Sequence, residues 1–221
     1  MSENLTFTVR KKELGVFSKS KFKLLLCGLG TGESIDKELD DSFWGNVTKV
    51  KKIENFSGSK NESLDIYGNI DGNKRADYST VVARLVVAGI GKREKFTSDE
   101  VRAFFAKFIK KVNSKKLDSF AIDADSFGLD NKEYAQACAE GLVLGAYEFN
   151  CYKSDNKKNT KVKKVIFIGN ADKKSLEKGK IVGVGVNFAR DLGNHPPNIL
   201  TPKYMADESV KISKAKNMKS K

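Results

Sequence analysis

The chain has 221 residues, which is enough for one domain of good size or for one domain and part of a second. Hydrophobic residues make up 39% of it and charged residues 31%, as is typical of a globular protein with a polar surface. No apolar run approaches the roughly 20 residues that cross a bilayer, and residues 1–5 carry neither the basic start nor the apolar segment of a secretory signal. We therefore expect a cytoplasmic protein with no membrane partner.

The formal net charge is +13, and lysines are crowded over residues 153–180 and 203–221. This charge makes nucleic acid one candidate partner, because binding to phosphates releases their counterions. A solvated, lysine-rich surface without such a partner is the stronger interpretation. The basic runs lack the interleaved aromatic residues of a groove for single strands.

The first part of the chain predicts two strands. Alternating apolar residues indicate a strand within 1–10, and the apolar run 22–27 indicates a buried strand that ends in the glycine turn 28–32. The turn has G-x-G-x-G spacing but not the stricter G-x-G-x-x-G pattern, and Lys37 is not at P-loop spacing. We predict a simple turn, with a nucleotide-binding loop as the alternative.

A short helix is predicted next, over residues 35–46, and it carries Trp44, the only tryptophan. Turn signals within 47–70 predict hairpin-like strands, which are followed by an acidic turn at 71–73. Near-continuous apolar character then marks 83–91 as a strand buried on both faces.

Strands and helices alternate through the middle of the chain. A T-x-x-E capping box at Thr97 opens a helix with a clean apolar stripe, and a second helix is predicted at 132–149. Strands are predicted at 119–123 and 165–169. This alternation predicts an α/β fold with a mainly parallel sheet and helices on both faces.

A helix, a rigid elbow and another helix are predicted beyond residue 178. Ile181, Val184, Phe188 and Leu192 recur at helical spacing, and the neighbouring glycines 183 and 185 indicate that other structure packs closely there. The helix should stop at Gly193, because the two prolines at 196 and 197 cannot continue it.

Thr201 and Pro202 have the residue types of an N-cap and a first helical position, so they predict the start of the last helix.

The three cysteines, Cys27, Cys138 and Cys151, are far apart and odd in number. They therefore form neither a disulfide framework nor a C-x-x-C metal site, and buried structural thiols are the favoured interpretation. A nucleophilic Cys–His pair would need His195, the only histidine of the chain.

The elbow segment resembles a known family. Residues 189–192 (ARDL), 194–198 (NHPPN) and 200–202 (LTP) closely resemble a segment of the leucyl aminopeptidases, the two-metal exopeptidases of family M17. The segments 85–96 and 139–149 are also similar to that family. The resemblance covers most of the chain beyond about residue 82 and is faint before it.

The resemblance implies a three-layer, macro-domain-like N-terminal domain at 1–172, a linker helix at 173–193 and the truncated first segment of a catalytic domain at 194–221. It also implies a homo-hexamer as the family's assembly. A full-length member would carry two divalent metals, zinc or manganese, that activate water and polarise the peptide carbonyl.

The metal-ligand motifs of the family, of the N-T-D-A-E-G-R type, are absent from this sequence. The resemblance therefore assigns no catalytic, cofactor-binding or metal residue here. Asp123 and Asp125 follow a strand and could line a crevice, but a hard cation needs more oxygen ligands. We expect a chain that is inactive by itself; the alternative is a basic, macro-like module that binds nucleic acid or a nucleotide-type ligand.

Overall fold

A computed structural model describes residues 5–13, 23–43, 45–67, 84–153, 161–215 and 218. The described strands are β1 (Thr6–Arg10), β2 (Leu25–Gly30), β3 (Ser63–Tyr67), β4 (Arg84–Gly91), β5 (Ser119–Asp123) and β6 (Lys164–Ile168). The described α-helices are α1 (Lys37–Ser42), α2 (Asn46–Ile53), α3 (Ser98–Ser114), α4 (Lys132–Gly145), α5 (Lys173–Asn194) and α6 (Pro202–Ala215).

The strands form one sheet in the order β1-β6-β5-β2-β4-β3. All neighbouring pairs are parallel except β3, which runs antiparallel to β4 at the edge. The central strands β2 and β4 are buried along nearly their whole length, as expected where helices cover both faces of a parallel sheet. The prediction of a mainly parallel α/β fold is confirmed.

Each face of the sheet has its own hydrophobic core, so the fold has three layers. On one face the fully buried rings of Phe105, Phe120 and Phe167 pack between the sheet and the helices α3 and α4. On the other face Leu25 and Val47 belong to the core beneath the short helices α1 and α2. Successive strand residues point to opposite faces, and this alternation supplies both cores from the same strands.

The prediction of strands from residue 47 onward was wrong for its first part, which is helix α2. Val47 is fully buried and Val50 packs against the same core, so the two valines share one helical face despite their preference for strands. Gly45, at φ +69°, separates α1 from α2. The predicted strand region does contain β3; residues 68–70, the turn at 71–73 and Trp44 lie outside the described residues.

The predicted helix starts are confirmed at both capping sites. The Thr97 hydroxyl accepts from the Glu100 amide at 3.4 Å, and the Thr201 hydroxyl accepts from the Tyr204 amide at 3.2 Å. Helix α5 ends at Asn194, one residue beyond the predicted stop, and α4 ends at Gly145, before its predicted end at 149.

Glycines bring α3, α4 and α5 together backbone to backbone. A Cβ atom on Gly141 or Gly145 of α4 would collide with the α3 carbonyl oxygens of Arg102 and Ala106. On α5, a Cβ atom at Gly179 would collide with the Gln136 carbonyl oxygen of α4. These contacts fix the distance and rotation of the three helices.

The close packing predicted at Gly183 and Gly185 of α5 is confirmed for Gly183 only. A Cβ atom at Gly183 would lie 2.8 Å from Cβ of Val143, whereas one at Gly185 would have nothing within 4 Å.

Two alanine substitutions in the same helix should therefore shift stability in opposite directions. Gly179→Ala forces α5 away from α4 and should lower the free energy of unfolding by about 1–3 kcal/mol. Gly185→Ala meets open space and should raise it by up to about 1 kcal/mol, because alanine is the better helix former. Urea unfolding followed by circular dichroism measures both. Equal effects of the two substitutions would contradict the close α4–α5 contact.

Candidate functional site

A buried acid lies at the carboxyl end of β5, near the middle of the edge that the carboxyl ends of the parallel strands form. Asp123 is only 3% exposed, and its Oδ1 has no hydrogen-bond partner in the described structure. Its Oδ2 lies 4.0 Å from the Cys27 sulfur of β2 and 3.8 Å from the Lys12 ammonium. The same ammonium lies 3.5 Å from the Asp36 carboxylate. Lys12 follows β1, and its side chain thus extends along the ends of the strands to reach β5. No local sequence signal predicts this contact.

Burial and charge oppose each other at this edge. The pKa of Asp123 is raised to about 6. Burial is the largest cause, the nearby Lys12 ammonium opposes it, and the carboxylates of Asp125 and Asp36 contribute to the increase. Burial alone would lower the pKa of Lys12, but the carboxylates of Asp123 and Asp36 raise it on balance. The ammonium therefore stays charged and compensates the buried acid.

The residues at this edge do not fit a pair of divalent metal ions. Among the described residues no group of three or more His, Cys, Asp or Glu side chains could hold a metal. Among the described carboxylates of this edge Asp123 is the buried one, and the Lys12 ammonium lies beside it, where a cation would have to sit. Asp125 accepts instead from the backbone and side-chain nitrogens of Asn170, at 2.9 and 3.0 Å, and so holds the loop after β6.

The glycine segment 28–32 uses its amides internally. Gly28 donates to the Ser126 hydroxyl at 2.9 Å and Gly30 to the Glu33 carboxylate at 2.8 Å. Thr31 and Gly32 donate to the carbonyl oxygens of residues 91 and 57. The strand runs to Gly30 and only residues 31–32 form the turn. A phosphate cradle needs free amides that converge on the ligand, so this geometry supports the predicted simple turn rather than the nucleotide-binding alternative.

Two of the three thiols are buried, as predicted. Burial raises the pKa of the Cys27 and Cys138 thiols well above the usual range, which suits structural rather than nucleophilic cysteines. Cys151, which follows α4, is exposed. His195 pairs with a phenol instead of a thiol, since its Nδ1 lies 2.6 Å from the Tyr152 hydroxyl.

The family-like elbow contacts the segment that follows α4. The Arg190 guanidinium lies over the Tyr147 ring, 3.9 Å from its centre. The Tyr147 hydroxyl donates to Asp191 at 2.8 Å and accepts from Asn194 at 2.9 Å. The ARDL and NHPPN residues thus hold the end of α5 in place. Tyr147 lies in the family-like segment 139–149, whereas no sequence pattern singles out Tyr152.

The His195 ring completes the elbow with aromatic neighbours. Its centre lies 5.3 Å from that of Phe149 and 6.0 Å from that of Tyr204, the latter on α6. These contacts link the two helices on either side of the diproline.

A basic cleft of about 380 Å³ opens beside the end of α3. Its lining includes Lys110, Lys116 and Lys161, together with Tyr147 and Glu148. Glu148 pairs with Lys161 at 3.0 Å, so one of the three cations already has a carboxylate partner.

The fold is shared with a solved leucine aminopeptidase and with a bottromycin maturation enzyme. A tomato leucine aminopeptidase mutant superimposes with a TM-score of 0.71 at 22% identity, over 97% of this chain and 43% of that chain. The bottromycin maturation enzyme BotP gives 0.66 at 21% identity, over 90% of this chain and 38% of that chain. A structure of BotP in complex with Mn gives 0.63 at 22% identity, over 87% and 36%.

The sequence identifies the family. The model for the N-terminal domain of the cytosol aminopeptidase family matches residues 14–156, so the chain belongs to this family and the predicted family is confirmed. The match includes the residues before about 82, where the resemblance is faint in the sequence. A probable cytosol aminopeptidase of Aquifex aeolicus (strain VF5) is 30% identical over 165 residues, which are 75% of this chain and 32% of the relative. The chain therefore spans about a third of that relative's length. Among the described residues no helix is long and apolar enough to cross a membrane.

Asp123 should give the protein a measurable pH dependence of stability. Its pKa of about 6 in the folded state lies above the value of about 3.9 in an unfolded chain, so the native state binds more protons between these pH values. Wild-type stability should therefore fall by about 2–3 kcal/mol, from this group alone, as the pH rises from 4 to 7. Asp123→Asn removes this contribution to the free energy of unfolding. The stability of the variant relative to wild type should therefore rise over the same pH range in denaturant titrations.

The exposed carboxylate of Asp118 supplies the control. A hydrogen bond from Lys23 lowers its pKa, so its contribution is present at neutral pH and lost as the pH falls. The stability of Asp118→Asn relative to wild type should thus change with the opposite sign. Parallel curves for Asp123→Asn and wild type would show that the buried acid does not titrate in this range.

Proposed function

We propose that this chain is the non-catalytic N-terminal part of a cytosol aminopeptidase. The proposal is carried by the family match over residues 14–156 in a chain that spans about a third of its curated relative. We divide it into an α/β domain at 1–172, a linker helix at 173–193 and the first segment of the following domain at 194–221. Helix α5, which contains the linker, supports this division because it packs on α4 and leads directly into the elbow.

The peptidase chemistry is proposed to reside in the domain that follows. Removal of an N-terminal amino acid by this family would use two divalent ions, zinc or manganese, and BotP has been described in complex with Mn. The described part of this chain offers no ligand set for such a pair, since Lys12 neutralises the buried Asp123. Its residues instead hold the elbow in place, so that α5 and α6 are positioned for contact with the rest of the enzyme.

Two further properties follow from membership of the family. We propose that the α/β domain contributes to a homo-hexamer, and that the protein acts in the cytoplasm, as the name of the Aquifex aeolicus relative implies for that protein. Helices α1 and α2 lie on the face of the sheet away from α5, and we propose their outer sides as candidates for contacts between copies.

The purified chain should show no aminopeptidase activity. It is incubated with Mn²⁺ or Zn²⁺ and a leucine anilide, and release of the aniline should not exceed that of a mock preparation. A full-length relative assayed in parallel is the positive control. Turnover that copurifies with this chain would refute the proposal that it is non-catalytic.

Nucleic-acid binding is the second candidate, and the basic cleft beside α3 favours it. Such binding should be retained at about 50 mM salt and should weaken steeply as salt rises. Replacing Lys110 and Lys116 by Gln should make the affinity for DNA depend less steeply on salt concentration. Replacing Lys203 and Lys214 of α6 by Gln removes the same charge away from the cleft, and it should change that dependence less. Absence of retention on a DNA column at about 50 mM salt would exclude this candidate.

A further inference from the structure

The basic cleft beside the end of α3 is a concave site where three segments of the chain meet. Its lining comes from the end of α3, from the end of α4 and the residues that follow it, and from Lys161, which precedes β6. Gly145 of α4 packs directly on Ala106 of α3, and this contact fixes the distance between two of the walls. The volume of about 380 Å³ lies within the range of roughly 300–1,000 Å³ that small-molecule sites occupy.

The charge of the cleft is predominantly positive. Lys110, Lys116 and Lys161 line it, together with one carboxylate, that of Glu148. Glu148 is already paired with Lys161 at 3.0 Å. Lys110 and Lys116 have no carboxylate partner among the described residues. Two uncompensated ammonium groups in one concave site attract an anion.

An oriented side-chain amide adds a neutral donor to the same site. Asn113 lines the cleft, and its Oδ1 accepts from the Val162 amide at 2.9 Å, which determines the orientation of the carboxamide. The NH₂ group of this side chain is left without a partner among the described residues. Ammonium groups and an amide donor together suit a phosphate group, which is a dianion with several acceptor oxygens.

The backbone of Lys116 has a conformation that a lysine rarely adopts. Three described residues other than glycine have a positive φ; two are asparagines, which tolerate it, and the third is Lys116, at +57°. Lys116 directly follows the C-cap of α3, a position where glycine is usual. Glycine would relieve the strain but would remove an ammonium group from the cleft. A strained residue that places a cation in a cleft indicates a role in binding.

The shape of the cleft favours a small ligand over a nucleic acid. A nucleic-acid backbone requires cations along several successive phosphates. Here the cations surround one concave site, and the Glu148 carboxylate in its lining would repel a continuous row of phosphates. Tyr147 adds an aromatic surface that suits the remainder of a small phosphorylated molecule.

We propose that this cleft binds the phosphate group of a small molecule, with Lys110 and Lys116 as the main charged contacts and the Asn113 side chain as a hydrogen-bond donor. The phosphate belongs either to a small ester or to the free ion, since both present the same oxygens. Tyr147 also holds Arg190 and Asp191, so the bound ligand and the elbow share a neighbour. The proposal goes beyond the proposed function and does not depend on it.

The test titrates the isotope-labelled full chain with phenyl phosphate at about 50 mM salt and follows the backbone amides by NMR. Amides around the cleft, including those of Asn113 and Tyr147, should shift with a common Kd of about 1 mM or tighter. Benzoate has the same ring but only one negative charge, and it should bind at least about fivefold more weakly. Inorganic phosphate distinguishes the two sources: equal affinity identifies the free ion, and weaker affinity identifies an ester, both in support of the proposal.

The substitution Lys116→Gly separates binding from stability. It should weaken the binding of phenyl phosphate by about tenfold, because a charge-assisted contact is lost. It should also raise the melting temperature by up to about 4 °C, because glycine accommodates the positive φ. Lys115→Gln is the matched control: Lys115 is the exposed neighbour that does not line the cleft, and its replacement should leave the affinity within about twofold.

Two further substitutions in the lining should act in opposite directions. Lys110→Gln should weaken the binding of phenyl phosphate by about tenfold, with no strained backbone involved. Glu148→Gln should tighten it by about threefold, because the substitution removes a negative charge and releases Lys161 from its ion pair.

Each outcome decides for or against the proposal. It is overturned if neither phosphate probe binds saturably, if benzoate binds as tightly as phenyl phosphate, or if Lys116→Gly changes the affinity no more than Lys115→Gln does. Shifts spread over all lysine-rich surfaces would show charge attraction alone and would also overturn it. Binding of duplex DNA at the cleft without binding of either phosphate probe would assign the cleft to nucleic acid instead. Turnover of a leucine anilide by this chain would refute the proposed function and leave these titrations unaffected.

Discussion

The close backbone contact among α3, α4 and α5 determines which surfaces of this protein are closed and which stay open. Because Gly141, Gly145 and Gly179 have no side chains, each of them lies directly against a carbonyl oxygen of the neighbouring helix. Helix α5 is thereby fixed with Gly183 and Asn187 turned inward. Its other apolar side must then face outward. The rotation of α5 about its axis therefore determines both its close contact with α4 and its exposed apolar surface.

The carboxyl edge of the parallel sheet is a common place for ligands in α/β folds, yet here the chain fills much of it with its own groups. Lys12 reaches across to Asp123, and the amides of the glycine turn are bonded internally. The buried acid and its lysine neighbour occupy this edge without creating a metal site among the described residues.

Sequence patterns predicted most of the elements because their causes are local. Alternating or continuous apolar residues located β1, β4, β5 and β6, and residue chemistry at Thr97 and Thr201 located two helix starts. The prediction was wrong at α2, where the strand preference of Val47 and Val50 was overridden by a core that buries them on one helical face. The family was likewise visible in consecutive residues at the elbow, and membership of the family is confirmed by the match over residues 14–156.

The sequence by itself determined the order and type of most elements, the mainly parallel α/β class and the family, since each depends on residues close together in the chain. Only the tertiary structure showed that Lys12 meets Asp123, that Tyr147 holds Arg190 and Asp191, and that Gly183 but not Gly185 is packed. Periodicity can reveal that a helix has apolar residues on more than one side. It cannot reveal which side the neighbouring helix covers, because that depends on contacts between segments far apart in the sequence.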